Sequence, residues 1–195
     1  MLIGITGQIG AGKTTAANIL KRMGAVVIDA DKIGRIVVEN NRSLVQKLAK
    51  SFGPQILSPA GNLRSKKTAE IAFSSEQNRK LLNRLVHPYL LRELKKQIRR
   101  NLGKKKVVVI DAALLLDWNL DNIVNQILLI GCTKNKRMAR LLKRGLSKSD
   151  VLARMKSQLP FRVYQKRADR VIMNSSSEAA LKRKVLAWGS RFFLT

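Results

Sequence analysis

The sequence has a single cysteine, Cys132, among its 195 residues. An internal disulfide is therefore excluded, no cysteine spacing suits zinc, and Cys132 reads as a core filler. No apolar run approaches the ~18 residues that a membrane-spanning helix needs. The start, "MLIGITGQIG", has neither a basic leader nor a small-residue cleavage site, and its apolar run is shorter than a signal core. A soluble, cytosolic protein with no membrane partner is the expectation. Acidic residues are also scarce: 12 carboxylates face 39 lysines and arginines, a formal net charge of +27. Aromatic side chains make up only 5%. The basic clusters, "RELKKQIRR", "TKNKRMARLLKRG" and "ALKRK" among them, have few aromatics between them, which suits solvated helix faces better than a platform for stacked bases. Such a charge still attracts polyanions, so weak, incidental nucleic-acid binding is expected.

What is present is a pattern of five short β-rich runs: residues 2–6, 25–29, 106–111, 126–131 and 170–174. Continuous apolar runs, as opposed to strict alternation, suit strands buried on both faces of a parallel sheet. Helical patterns separate them. The first helix stops at Gly24, a suitable C-cap, and later helices are announced by the capping spacings Ser74-x-x-Gln77 and Ser175-x-x-Glu178. Strand and helix in alternation imply an α/β fold with a five-stranded parallel sheet, whose ligands gather at the carboxyl ends of the strands. About seventy residues between the second and third strands show no strand pattern, far beyond an ordinary connection. They predict a helical insert over 32–100, punctuated by Pro54, Pro59 and Pro88. The core then comprises 1–31 and 101–195, with a second, strongly basic insert over roughly 134–169.

The stretch Gly7-Gln8-Ile9-Gly10-Ala11-Gly12-Lys13-Thr14 fits G-x-x-x-x-G-K-[ST] and has the required context, a strand before it and a helix after it. Glycines let backbone N–H groups converge on phosphate oxygens, and the helix N-terminus adds partial positive charge. Lys13 can reach the β- and γ-phosphates of a nucleoside triphosphate and Thr14 can ligate Mg²⁺. Thr15 serves the helix, with an α-phosphate within its reach. Asp29, Asp31 and Asp111 stand at strand ends, on the rim that faces the ligand crevice. Phosphoryl transfer needs one carboxylate to orient or deprotonate the attacking hydroxyl and another to hold Mg²⁺. Asp31 and Asp111 are the respective candidates. Arg137, Arg140 and Arg144 recur at helical spacing and could form a cationic clamp on phosphate.

At this point the chain resembles the dephospho-coenzyme A kinases, P-loop kinases that move the ATP γ-phosphate to the ribose 3′-hydroxyl of dephospho-CoA. "GITGQIGAGKTTAANIL" resembles the family's phosphate loop, "VIDADKIGR" its Asp-Ala-Asp motif, "LVHPYL" its His-Pro motif and "RMARLLKRG" its lid. "VVVIDAALLLDW" is similar to the third-strand segment, and "MKSQLP…RADRVIMNSSS" to the closing Gln-x-Pro and Ala-Asp-x-x-Ile-x-Asn segment. The resemblance implies a nucleotide-kinase-like core, a helical acceptor-binding insert and a mobile lid. It makes ATP and dephospho-CoA the substrates and Asp31 the general base, with Asp29 beside it. It also makes Arg140 a lid contact to the nucleotide phosphates, and His87 either a brace for the helix junction before Pro88 or part of the acceptor side. The chain departs from the family pattern at Ala113 and Asp117, where a proline and then an acidic residue are usual. It departs again at Arg64-Ser65, in place of Asp-Arg after Gly61-Asn62-Leu63, and at Arg137, in place of a glutamine. Two other readings share the phosphate loop: a different small P-loop kinase, acting for example on a nucleoside monophosphate, and a basic nucleic-acid-associated P-loop NTPase.

Overall fold

The computed structural model describes residues 1–72, 74–103 and 107–193. Its sheet has five parallel strands in the order β2-β3-β1-β4-β5: β1 Leu2–Thr6, β2 Val26–Asp29, β3 Val108–Asp111, β4 Gln126–Gly131 and β5 Arg170–Met173. β1 is central and wholly buried, with Ile3 and Ile5 at 0% exposure. Val108, Val109, Ile110, Leu128, Leu129 and Ile130 are equally buried, which is why these strands read as unbroken apolar runs. The chain divides into two units, Met1–Asp29 with Ile98–Thr195, and Ala30–Gln97. This division puts Asp31 in the second unit, two residues beyond the boundary, whereas the sequence places it with the core.

In the first unit, α1 (Lys13–Arg22) follows β1 and packs on the sheet through Ala16, Ala17, Ile19 and Leu20. Gly24, at φ +105°, ends it: its N–H bonds the Lys21 carbonyl and the next N–H, of Ala25, bonds that of Leu20. After β4 come α6 (Lys134–Lys143), α7 (Lys148–Lys156) and α8 (Phe161–Arg167). The final helix, α9 (Glu178–Gly189), packs beside α1 and buries Leu181, Val185 and Trp188. Its cap is Ser177, whose Oγ accepts from Ala180 N–H, and not Ser175.

The second unit contains α2 (Ala30–Glu39), α3 (Arg42–Phe52), α4 (Ser65–Ala72) and most of α5 (Glu76–Leu102). Leu44, Leu48, Phe52, Ile56 and Val86 form its core. Two sequence expectations are corrected. Ser75, not Ser74, accepts from the Asn78 N–H at the start of α5. Pro88 lies inside α5 and does not divide it, so there is no helix junction for His87 to brace. A proline deletes one backbone bond; Val86, Leu90 and Leu94, buried on either side of it, hold the helix together.

Candidate functional site

The chain between β1 and α1 forms a tight loop closed by Ala11 N–H donating to the Gln8 carbonyl at 3.1 Å. Gly7 has φ +147° and a side chain there would run into the Ile130 carbonyl; Gly12 has φ +103° and a side chain would run into Asn174 Nδ2. No other residue fits either place, because both the backbone angle and the space exclude a Cβ. Gly12 is also the N-cap of α1, with no side chain capping that end and no acidic residue in its first turn. By contrast, α2 has Asp31 and α9 has Glu178 in the first turn. The α1 terminus is thus electropositive and suits an anion. Lys13, half-buried at the start of α1, donates from Nζ to the Gly7 carbonyl at 2.8 Å, which folds its ammonium back over the loop. Thr14 is exposed, Thr15 half-buried.

Three distant segments fix this loop. Gln158 Oε1 accepts the Ile9 N–H at 2.8 Å, and Gln8 Nε2 donates to the Leu159 carbonyl at 3.1 Å. Asn174, at 5% exposure just past β5, donates from Nδ2 to the Ala11 carbonyl at 2.8 Å. The Arg140 guanidinium reaches the carbonyls of Gly10, Ala11 and Asn174 at 3.2–3.4 Å. The Gln-x-Pro and Ala-Asp-x-x-Ile-x-Asn motifs therefore act as scaffolding for the phosphate loop. Asp169 belongs to the same scaffold, tying β5 to β4 by accepting the Ile127 N–H at 2.7 Å. The sequence quotes these residues in its motifs but gives no hint of their partners. Cys132 is part of the core, as expected, and its thiol donates to the Asn174 carbonyl.

Asp29 and Asp111 are direct partners across β2 and β3, and Asp111 is level with Ile5 on β1, one residue before Thr6. Parallel neighbours lie about 4.8 Å apart, so two carboxylates share one stretch of the rim beside the strand that leads into the loop. Asp31 is half-buried in the first turn of α2, which begins directly after β2, so it is on a helix and not in a loop. Its charge stabilises that N-terminus, typically by about 0.3–1 kcal/mol.

The three arginines do not form one exposed stripe. Arg144 is exposed at the C-cap of α6, Arg140 reaches the loop carbonyls, and Arg137 is buried to 7% exposure. Among the described residues the Arg137 Nε and Nη1 find no hydrogen-bond partner, and burial pushes its guanidinium pKa below the usual value; the neighbouring Cys132 and Tyr164 oppose this. Its backbone packs on Gly10. His87 is half-buried on α5 in the second unit.

A profile of the dephospho-CoA kinase family matches residues 1–180. The chain is 32% identical over 188 residues to the dephospho-CoA kinase of Halalkalibacterium halodurans, covering 95% of this chain and 94% of that one. It is 37% identical over 182 residues to the dephospho-CoA kinase of Corynebacterium glutamicum, covering 92% and 93%. Among solved structures, a Thermus thermophilus protein superposes with a TM-score of 0.83 at 31% identity, covering 98% of this chain and 97% of that one. A shikimate kinase from Acinetobacter baumannii, at 15% identity and a TM-score of 0.53, covering 100% of this chain and 95% of that one, shares the fold. The chain belongs to the dephospho-CoA kinase family.

Proposed function

We propose that the chain transfers the γ-phosphate of ATP to the ribose 3′-hydroxyl of dephospho-CoA, giving coenzyme A. The observation that carries this reading is the loop Gly7–Thr14 on an uncapped helix N-terminus, in a chain of this family. Backbone N–H groups of Gly10 and Gly12 and the α1 terminus take the phosphates, and Ala11 joins them once its N–H leaves the Gln8 carbonyl. Lys13 moves from the Gly7 carbonyl to the β- and γ-oxygens, where its charge offsets what builds up during transfer. Thr15 takes the α-phosphate. Arg140 acts from the rim of the loop, contributing positive charge where the phosphates lie, and Arg137 and Arg144 complete the set. The α6–α8 segment serves as a lid. Asp31 orients the acceptor hydroxyl and takes its proton as the new O–P bond forms and the bond to the leaving ADP oxygen breaks. Asp29 and His87 contribute to acceptor binding.

Hard oxygen donors at Thr14 and Asp111 fit Mg²⁺, an ion that keeps several waters and takes only one or two ligands from the protein in such sites. No group of three or more His, Cys, Asp or Glu side chains gathers among the described residues. When bound, Mg²⁺ would neutralise charge on the β- and γ-oxygens.

The test is a panel of phosphoryl acceptors assayed with ATP and Mg²⁺. Dephospho-CoA is expected to be the preferred acceptor, and Lys13→Ala to abolish transfer while the circular-dichroism spectrum stays that of the parent. Preference for a nucleoside monophosphate would overturn the acceptor, and normal turnover by Lys13→Ala would overturn the role of the loop.

A further inference from the structure

The second unit has a cavity of about 440 Å³ between α3 and α5, lined by Lys47, Arg84, Leu85, Pro88, Tyr89 and Arg92. This is within the ordinary range for small-molecule sites, roughly 300–1,000 Å³. Its floor is firm, since Leu85 and Tyr89 pack on the buried cluster around Leu44, Leu48 and Val86. Its walls are cationic. Arg84, Pro88 and Arg92 recur every four residues along α5, so the two guanidiniums rise from one helix face about 12 Å apart at their Cα atoms, with the proline between them. Lys47 approaches from α3, donating to the Tyr89 hydroxyl at 3.1 Å with its ammonium 5.7 Å from the ring centroid. Among the described residues no carboxylate lines the cavity, and none forms an ion pair with Lys47, Arg84 or Arg92.

We propose that this cavity is a binding site for a diphosphate group. Two guanidiniums with planar forks and one ammonium held by a tyrosine match a bridged pair of phosphates, which offers several oxygens along one edge. The apolar floor of Leu85 and Pro88 and the Tyr89 ring seat the uncharged part of the same ligand. If the reaction is the one proposed above, the diphosphate is that of dephospho-CoA, and the cavity selects the acceptor by its phosphates. A free diphosphate would bind by the same chemistry, so the experiment separates the two.

The full-length protein, its phosphate loop first saturated with a non-hydrolysable ATP analogue so that pyrophosphate cannot occupy it, is titrated calorimetrically with inorganic pyrophosphate at fixed ionic strength, and its kinase kinetics are measured separately with dephospho-CoA and ATP. The parent is compared with R84Q/R92Q and with K95Q/K96Q, which removes the same charge from exposed positions of the same helix outside the cavity. The expected result is that R84Q/R92Q weakens pyrophosphate binding at least tenfold and raises KM for dephospho-CoA by a similar factor, while KM for ATP and the effect of K95Q/K96Q stay small. Loss of pyrophosphate binding with an unchanged KM for dephospho-CoA assigns the cavity to a free diphosphate and overturns the acceptor assignment. Equal weakening in both double variants reduces the effect to overall charge and overturns the site. Should the parent phosphorylate no dephospho-CoA at all, the proposed function fails, and the pyrophosphate titration still decides the cavity by itself.

Discussion

Asp31 has two jobs that a single substitution separates. As the first-turn carboxylate of α2 it stabilises a helix terminus, and Asn, itself a good residue near helix starts, should cost less than about 1 kcal/mol there. As a general base it is worth roughly 10²–10⁴-fold in turnover. Asp31→Asn should therefore fold normally, bind ATP normally and lose two to four orders of magnitude in CoA formation. Turnover within a few-fold of the parent would leave Asp31 as a helix residue only. Arg137 poses the opposite problem, because its burial is a burden on the fold. A guanidinium whose pKa is lowered is less stable charged in the folded than in the unfolded state, so it subtracts stability at every pH below its titration range, which lies far above neutral. Arg137→Gln removes that charge. Relief of about 1 kcal/mol would raise Tm by roughly 2–4 °C in a chain of this size. The same variant should have a higher KM for ATP if the nucleotide supplies the anion that Arg137 lacks; a raised Tm with unchanged KM would make Arg137 a packing residue alone.

At the scale of elements, the sequence announces strands better than caps. β1 and β4 begin and end where their apolar runs do, since burial on both faces leaves no polar interruption. Helix starts at 74–76 and 175–178 were each displaced by one or two residues because serines cluster there, and only the backbone decides which hydroxyl faces the orphan N–H groups. The phosphate loop was legible because its geometry demands glycine at fixed spacing. Its supports, Gln158 and Asn174, were not, because a hydrogen bond between residues about 150 apart leaves no periodic trace. Spacing placed Arg137, Arg140 and Arg144 near one another on α6 but could not tell which of them the fold would bury. The strap at Gln158-Leu159 joins the end of the α6–α7 segment to Gln8 and Ile9, so the phosphate loop and this segment should respond together to nucleotide. Trypsin has exposed targets at Lys143, Arg144 and Lys148, around the turn at Gly145. Cleavage there should slow several-fold with ATP bound; an unchanged rate would deny the segment a role as a lid.

For the whole molecule, the charge is what the kinase reading leaves unexplained. Pairs such as Lys67–Glu70, Lys80–Glu76 and Arg167–Asp121 engage few cations, and 12 carboxylates cannot match 39 lysines and arginines. Among the described residues no helix is long and apolar enough to cross a membrane. The unmatched charge is spread over helix faces with few aromatic side chains, so a nucleic acid would meet phosphate contacts without base stacking or base-edge readout. Such contacts draw their free energy from released counterions, and the logarithm of affinity falls with the logarithm of salt by about 0.9 for each phosphate engaged on duplex DNA. A footprint of about six phosphates should lose on the order of 10³-fold in affinity between 50 and 200 mM salt. Fluorescence anisotropy with two duplexes of unrelated sequence should therefore show equal binding at low salt and almost none at the higher concentration, with ATP turnover unaffected by either duplex. Binding that survives 200 mM salt and distinguishes the duplexes, together with ATP hydrolysis stimulated by one of them, would mark nucleic acid as a functional partner and displace the metabolite kinase reading.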